Sequence, residues 1–140
     1  MPGKPREARL AQMIRVDHAG EFGAVRIYEG QLAVFRNRAK TYKSAKLIAK
    51  MEAQEQRHLE TFDRLVNERG VRPTALAPLW HAGGYFLGAA TALMGERAAM
   101  ACTAAVEETI DEHYGQQSDA LNIYKDDELA AIVEEFRADE

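Results

Sequence analysis

Cysteine is almost missing: Cys102 is the single one in 140 residues. A disulfide within the chain and a cysteine-built metal site are both excluded, and a reducing compartment is the natural setting. Strand signals are equally scarce. Valine and isoleucine are scattered and never alternate over a useful length, which leaves no basis for a sheet. Cations are not in excess. Eighteen Lys and Arg stand against 22 Asp and Glu, for a net charge of −4, so general binding to nucleic acid is not expected. Residues 1–7 contain no apolar stretch and read neither as a secretory signal nor as an amphipathic transit peptide.

What remains is helical. Hydrophobic content of 46% with 29% charge suits one folded domain, and the length leaves room for little more. Apolar periodicity gives a first helix over about 7–38, bent near Gly20 and Gly23, and a second over about 43–69 with Gly70 as its stop. A loop carrying Pro73 and Pro78 follows. A third helix is expected over about 83–121, glycine-rich at its start. A fourth begins at Asp126-Asp127-Glu128, acidic residues that suit a helix N-terminus, and is still running at Glu140. The expectation is an incomplete single domain spanning 1–140, cut inside its fourth helix.

One stretch stands apart: residues 73–95 contain no Asp, Glu, Lys or Arg. Two prolines, four glycines and His81 make it a poor membrane span. It reads either as a buried loop and helix or as a segment lying in a bilayer interface. Leu76, Leu79, Trp80, Tyr85, Phe86 and Leu87 would meet lipid, and Arg69 and Arg72 flank them.

Acidic residues interrupt the apolar stripes at four places. In the second helix Ile48, Met51, Leu59, Phe62, Leu65 and Val66 share one face, and Glu55 and His58 fall on it. Glu21 lies on the stripe of Ile14, Ala24, Val25, Tyr28 and Leu32. Glu107 lies on the stripe of Met100, Ala104, Ile110 and Tyr114, and Glu140 follows Leu129, Ile132, Val133 and Phe136. A buried carboxylate costs several kcal/mol unless paired or bound to metal. A lone Glu-x-x-His is weak, because surface copies are common. Four inward glutamates at matching spacings are not. Glu55 follows Glu21 by 34 residues and Glu140 follows Glu107 by 33, while Tyr28 and Tyr114 each follow their glutamate by seven. Two related helical hairpins facing each other across a pseudo-twofold axis explain this. Such bundles hold two metals between four glutamates and two histidines. A second histidine is expected three residues after Glu140, outside the sequence. His18 reads as a surface or neighbouring group, and His113, six residues past Glu107, as a substrate contact or ligand support rather than a ligand.

At these residues the chain resembles the demethoxyubiquinone hydroxylase family. The likeness rests on residues 15–24 (Arg-Val-Asp-His-Ala-Gly-Glu-Phe-Gly-Ala), on Glu55-Gln56-Arg57-His58-Leu59 and on Arg72-Pro73-Thr74. It continues through Pro78-Leu79-Trp80, Thr91-Ala92-Leu93, Ala99-Met100-Ala101-Cys102-Thr103, Val106-Glu107-Glu108 and His113-Tyr114. The resemblance implies an all-α, ferritin-like four-helix bundle with a glycine-rich membrane-associating segment. It implies two iron ions held by Glu21, Glu55, His58, Glu107 and Glu140, with Glu55 and Glu140 bridging. It implies dioxygen-dependent hydroxylation of a polyprenylated methoxy-methyl-benzoquinol, with an external reductant such as NADH. His113 and Tyr114 become the catalytic candidates, holding the quinone head or relaying electrons and protons. Implied partners are the quinol, a lipid surface, other ubiquinone-biosynthesis proteins and a further copy of the chain, with no nucleic acid. The implied place is the cytoplasmic face of a bacterial inner membrane or the matrix face of a mitochondrial one. A ferritin-like ferroxidase or peroxide scavenger is the rival reading, and a metal-free helical adaptor a third. Neither the tail length nor the electron donor is readable from the residues.

Overall fold

The computed structural model describes residues 6–140, and the polar start at residues 1–5 lies outside them. Five helices account for almost all of that length: α1 (Arg6–Phe35), α2 (Tyr42–Glu68), α3 (Ala77–Leu93), α4 (Glu96–Tyr124) and α5 (Asp127–Asp139), with one 3-10 turn at Ala39–Thr41 before α2. No strand occurs among the described residues. The architecture is an all-α, ferritin-like bundle, with α3 added to its side. α1 is the hub: α2 and α3 pack along it, and α5 packs on α4.

Local chemistry explains the ends. α2 stops at Gly70, whose φ of +62° is open to glycine at no steric cost. The Val71 N–H then donates to the Val66 carbonyl at 3.0 Å, a Schellman closure. α4 ends at Lys125 in the left-handed region, its N–H on the Leu121 carbonyl at 2.9 Å. Asp126 caps α5 by accepting from the Leu129 N–H at 3.1 Å, and Asp127 and Glu128 follow in the first turn.

Three expectations need correction. The third helix is two helices. Gly95, at φ +120°, turns the chain between α3 and α4. The loop expected through Pro78 is already helix from Ala77, because a proline in the first turn lacks an N–H that would have no partner there. α1 is a single helix through Gly20 and Gly23. Gly23 serves contact, since a Cβ there would meet the Trp80 ring. On the inner stripe of α4, Thr103 takes the buried place and Ala104 faces out.

α3 lies parallel and very close to α1. A Cβ on Gly88 would collide with the Ile27 carbonyl, and one on Gly30 with the backbone of Tyr85 and Ala89. Trp80 Nε1 donates to the Ala19 carbonyl at 2.8 Å, and the Arg26 guanidinium sits 4.9 Å from the Tyr85 ring centre. We expect Gly88→Ala to destabilise the chain by about 2 kcal/mol through forced separation of α1 and α3. An unchanged urea midpoint would show that the two helices are not seated on each other as described.

Candidate metal centre

The middle of the bundle is dry and holds charge. Tyr28, Tyr114, Phe62, Ile14 and Ile48 are fully buried, and so are Glu21, Glu55 and His58. The Glu140 side chain is sealed as well. α1 brings Glu21, α2 brings Glu55 and His58 one turn apart, and the end of α5 brings Glu140. One ligand atom from each of these four lies within 4.8 Å of every other. His58 Nδ1 is 3.3 Å from Glu55, 3.5 Å from Glu140 and 3.6 Å from Glu21.

These atoms fit a metal by what they lack. Glu21 Oε2, Glu55 Oε2, His58 Nδ1 and both Glu140 oxygens are buried without a hydrogen-bond partner. Orphaned buried polar atoms are rare in folded proteins because each carries its full desolvation cost. Here they converge on one point, and a carboxylate-rich set with one imidazole suits a divalent first-row metal. The other side of the imidazole is held: Nε2 pairs with Asp139 Oδ2 at 2.9 Å, and Phe136 stacks on the ring with centroids 3.9 Å apart. Fixing the outer nitrogen orients the inner one.

Two tyrosines tie the halves together reciprocally. The Tyr28 hydroxyl on α1 donates to Glu107 on α4 at 2.5 Å, and the Tyr114 hydroxyl on α4 donates to Glu21 on α1. Burial first, then the surrounding glutamates, pushes both phenols upward, so they stay protonated donors. Glu107 is half-buried and lies outside the tight group of four. It faces Glu140 across an open pocket shared with Lys50 and Gln54. His113 is half-buried, on the rim of two larger cavities and one small one. His18 pairs with Asp63 at 2.6 Å, away from the centre.

Sequence reasoning passed over four polar residues around the site: Asp139, Asp17, Gln31 and Gln117. Asp17, Gln31 and Gln117 are buried. Their signal was present in one form only. Each falls on its helix's buried stripe, Asp17 between Ile14 and Glu21, Gln31 after Tyr28, and Gln117 between Tyr114 and Leu121. Asp139 gave no such signal.

An all-α bundle with a buried glutamate–histidine centre is the class that this fold and site define. Residues 8–140 match the family described as ubiquinone biosynthesis protein COQ7, and the chain belongs to that family. It is 53% identical, over its whole length, to a 3-demethoxyubiquinol 3-hydroxylase of Rhodospirillum rubrum, covering 65% of that protein. It is 50% identical over 94% of its length to a mitochondrial NADPH-dependent 3-demethoxyubiquinone 3-hydroxylase of Dictyostelium discoideum, of which it covers 59%. The Homo sapiens protein of the same description is 46% identical over 95% of the chain, with 61% of that protein covered. The chain thus spans somewhat under two thirds of the length of these relatives.

Without metal, protons must neutralise the centre. Burial, above all, pushes Glu55 up to about 8, and burial also raises Glu140. Burial alone would lower His58, but the carboxylates of Glu140, Glu21 and Glu55 close around its Nδ1 outweigh that and hold the ring pushed up to about 12. In each case the folded chain binds protons more tightly than the unfolded one, so stability is greatest at low pH and is lost as pH rises. Glu55 acts from about 4.5 to about 8, and His58 from about 6.5 upward. Asp126, lowered by Arg69, acts in the opposite sense but only below 3.8. We expect the metal-free protein to melt about 4 °C or more lower at pH 8 than at pH 5, the effect of roughly 1–2 kcal/mol in a chain of this size. Ferrous ion added at pH 8 should reverse the loss, since metal displaces those protons. A melting temperature that climbs from pH 5 to pH 8 without metal would contradict this account.

Proposed function

We propose that this chain carries the core of a di-iron monooxygenase, hydroxylating the ring of a polyprenylated demethoxyquinol in ubiquinone synthesis. One observation carries the reading: an apolar groove of about 340 Å³ shares Gly20, Ile110 and His113 with a small gap that Glu21, one of the ligands with an orphaned oxygen, lines. The groove runs between α1, α3 and α4 and is lined by Gly20, Ala24, Ile27, Trp80, Val106 and His113 among others. A store for iron oxide has no use for such a groove.

Glu21, Glu55, His58, Glu107 and Glu140 are the residues that would hold the iron. When bound, iron supplies the redox capacity that activates dioxygen, drawing electrons from an external donor. The mitochondrial relatives' names give NADPH dependence, and a nicotinamide donor is proposed here on that basis. The rest is the work of the chain's own residues. Gly20 and Ala24 leave space for a flat ring to approach Glu21. Ile27, Val106 and Ile110 exclude water around it. His113, on the rim, is placed to hold the quinone head, and Tyr114 fixes Glu21 by its hydroxyl.

The groove's outer wall includes Trp80 and Leu87 of α3. On the same helix Leu79, Phe86 and Leu93 are each about two thirds exposed or more, and Met94 follows at 78%. Among the described residues no helix is long and apolar enough to cross a membrane. An apolar helix lying flat in a lipid surface lets a polyprenyl tail stay in lipid while its ring enters the groove. This supports a peripheral membrane protein, and the family likeness makes the cytoplasmic or matrix face of an inner membrane the proposed place.

In the full-length protein, Glu55→Ala and Glu107→Ala should each cut hydroxylated product by about 10³-fold or more while the helical circular dichroism persists. Product from either variant at the parent rate would sink the assignment. Replacing Leu79 and Phe86 together by Glu should reduce co-sedimentation with phospholipid vesicles about tenfold or more, without changing iron content. Equal binding by this double variant would remove α3 from the lipid contact.

A further inference from the structure

Asp17 is a buried carboxyl group with no part in the cluster of ligands. It lies on α1 one turn before Glu21 and is 4% exposed. Its Oδ1 accepts from Gln117 Nε2 of α4 at 2.6 Å, while its Oδ2 is sealed from solvent without a partner. Burial raises it well above the usual carboxylate range, against the lowering effect of the Gln117 hydrogen bond. The protonated acid is the favoured form.

The internal repeat supplies a control. Glu107 corresponds to Glu21, so Thr103 corresponds to Asp17, each four residues before its glutamate. Gln31 and Gln117 correspond too, each three residues after its tyrosine. Thr103 Oγ1 donates to Gln31 Oε1 at 3.3 Å, and both residues are buried. A neutral hydroxyl and an amide therefore satisfy the packing at this level of the bundle. Only one half replaces the hydroxyl with an acid, and bundle packing alone gives no reason for it.

Space explains it better. A pocket of about 330 Å³ opens at the surface between Arg9, Gln12, Met13, Val16, Gln117 and His113. Next to it, sharing Val16 and His113, is a gap of about 10 Å³ between Asp17, Glu21, His113 and Tyr114. That is near the volume one water needs, and polar groups surround it.

We propose that Asp17 is the proton store of the site, passing its proton through a water in this gap toward the metal centre and being recharged from the surface pocket by way of His113. The inference rests on the hydroxylase reading. There, one ring C–H, one dioxygen, two electrons from the nicotinamide donor and two protons give one ring C–OH and one water. The protons have to reach a sealed centre, and the groove that admits the ring offers chiefly carbon. Gln117 fixes one oxygen of the acid, the other has no partner, and Asp17 lines the gap.

The test uses the full-length, iron-loaded protein. Wild type should show the infrared carbonyl band of a buried carboxylic acid, shifted in D2O, and Asp17→Asn should lose it. Iron content and melting temperature should hold, while hydroxylation falls about tenfold or more and its solvent isotope effect grows. Asp17→Thr copies the Thr103–Gln31 arrangement and carries the same expectation should the Asn variant fold poorly. Unchanged turnover and isotope effect in a folded variant overturn the relay alone. So does loss of iron in step with rate, which would mark a structural role. Wild type that hydroxylates no quinol overturns the parent reading and the relay with it, whatever the infrared spectrum shows.

Discussion

Three carboxylates and one imidazole are buried together at the centre of this bundle, and the rest of the molecule is arranged around that conflict. Glu21, Glu55 and Glu140 each face His58 Nδ1 within 3.6 Å, and five of their oxygen and nitrogen atoms have no hydrogen-bond partner. Apolar residues of the same size would give a more stable bundle, since burying charge costs more than a single imidazolium returns. A cation of higher charge at its focus would relieve the conflict, as the proposed function requires. The surrounding polar contacts keep the walls of this centre apart.

Those contacts follow the internal repeat. Tyr28 reaches from the first half to Glu107 of the second, and Tyr114 reaches back to Glu21. Each hydroxyl both satisfies a carboxylate oxygen and spans the seam between hairpins. Losing one would free a glutamate and loosen the seam together. The repeat is broken where the two halves meet different surroundings. The first half has α3 pressed on α1 through Gly30 and Gly88, which closes its outer face. On α4 the surface pocket by Gln117 stays open to solvent.

Most of the centre was legible because a carboxylate in an apolar stripe violates the helical pattern. Glu21, Glu55 and Glu140 stood out for that reason, and His58 followed from its place one turn beyond Glu55. The structure brings those four together, with Glu107 held nearby through Tyr28. The break at Gly95 was not legible. Gly83, Gly84 and Gly88 stand just before it inside a helix, and nothing in composition separates a glycine chosen for close approach from one chosen for positive φ. Pro78 misled in the same way, since its effect depends on whether it opens a helix or interrupts one. Asp17 and Gln117 went unremarked because uncharged partners and charged ones look alike until the opposing helix is known. Pairing across a bundle is a tertiary fact, and a one-chain periodicity carries only the face.

The two larger cavities divide the chemistry by polarity. On one side lies the groove between α1, α3 and α4, where Trp80 and Leu87 continue into an exposed apolar helix face. On the other lies the pocket of Arg9, Gln12, Gln116 and Gln117. His113 belongs to both, and to the small gap next to Glu21. On the proposed function, an oily ring and protons have to reach the same few ångströms. A single channel wet enough for protons would flood the groove, weakening the fixed dipoles around the ring and exposing the apolar walls. On the proposed reading, separate routes meeting at the half-buried His113 imidazole avoid this. The position of His113 at that junction, six residues beyond Glu107 and off its face, is the geometric reason that it is no ligand in this arrangement and still adjoins everything the ligands serve.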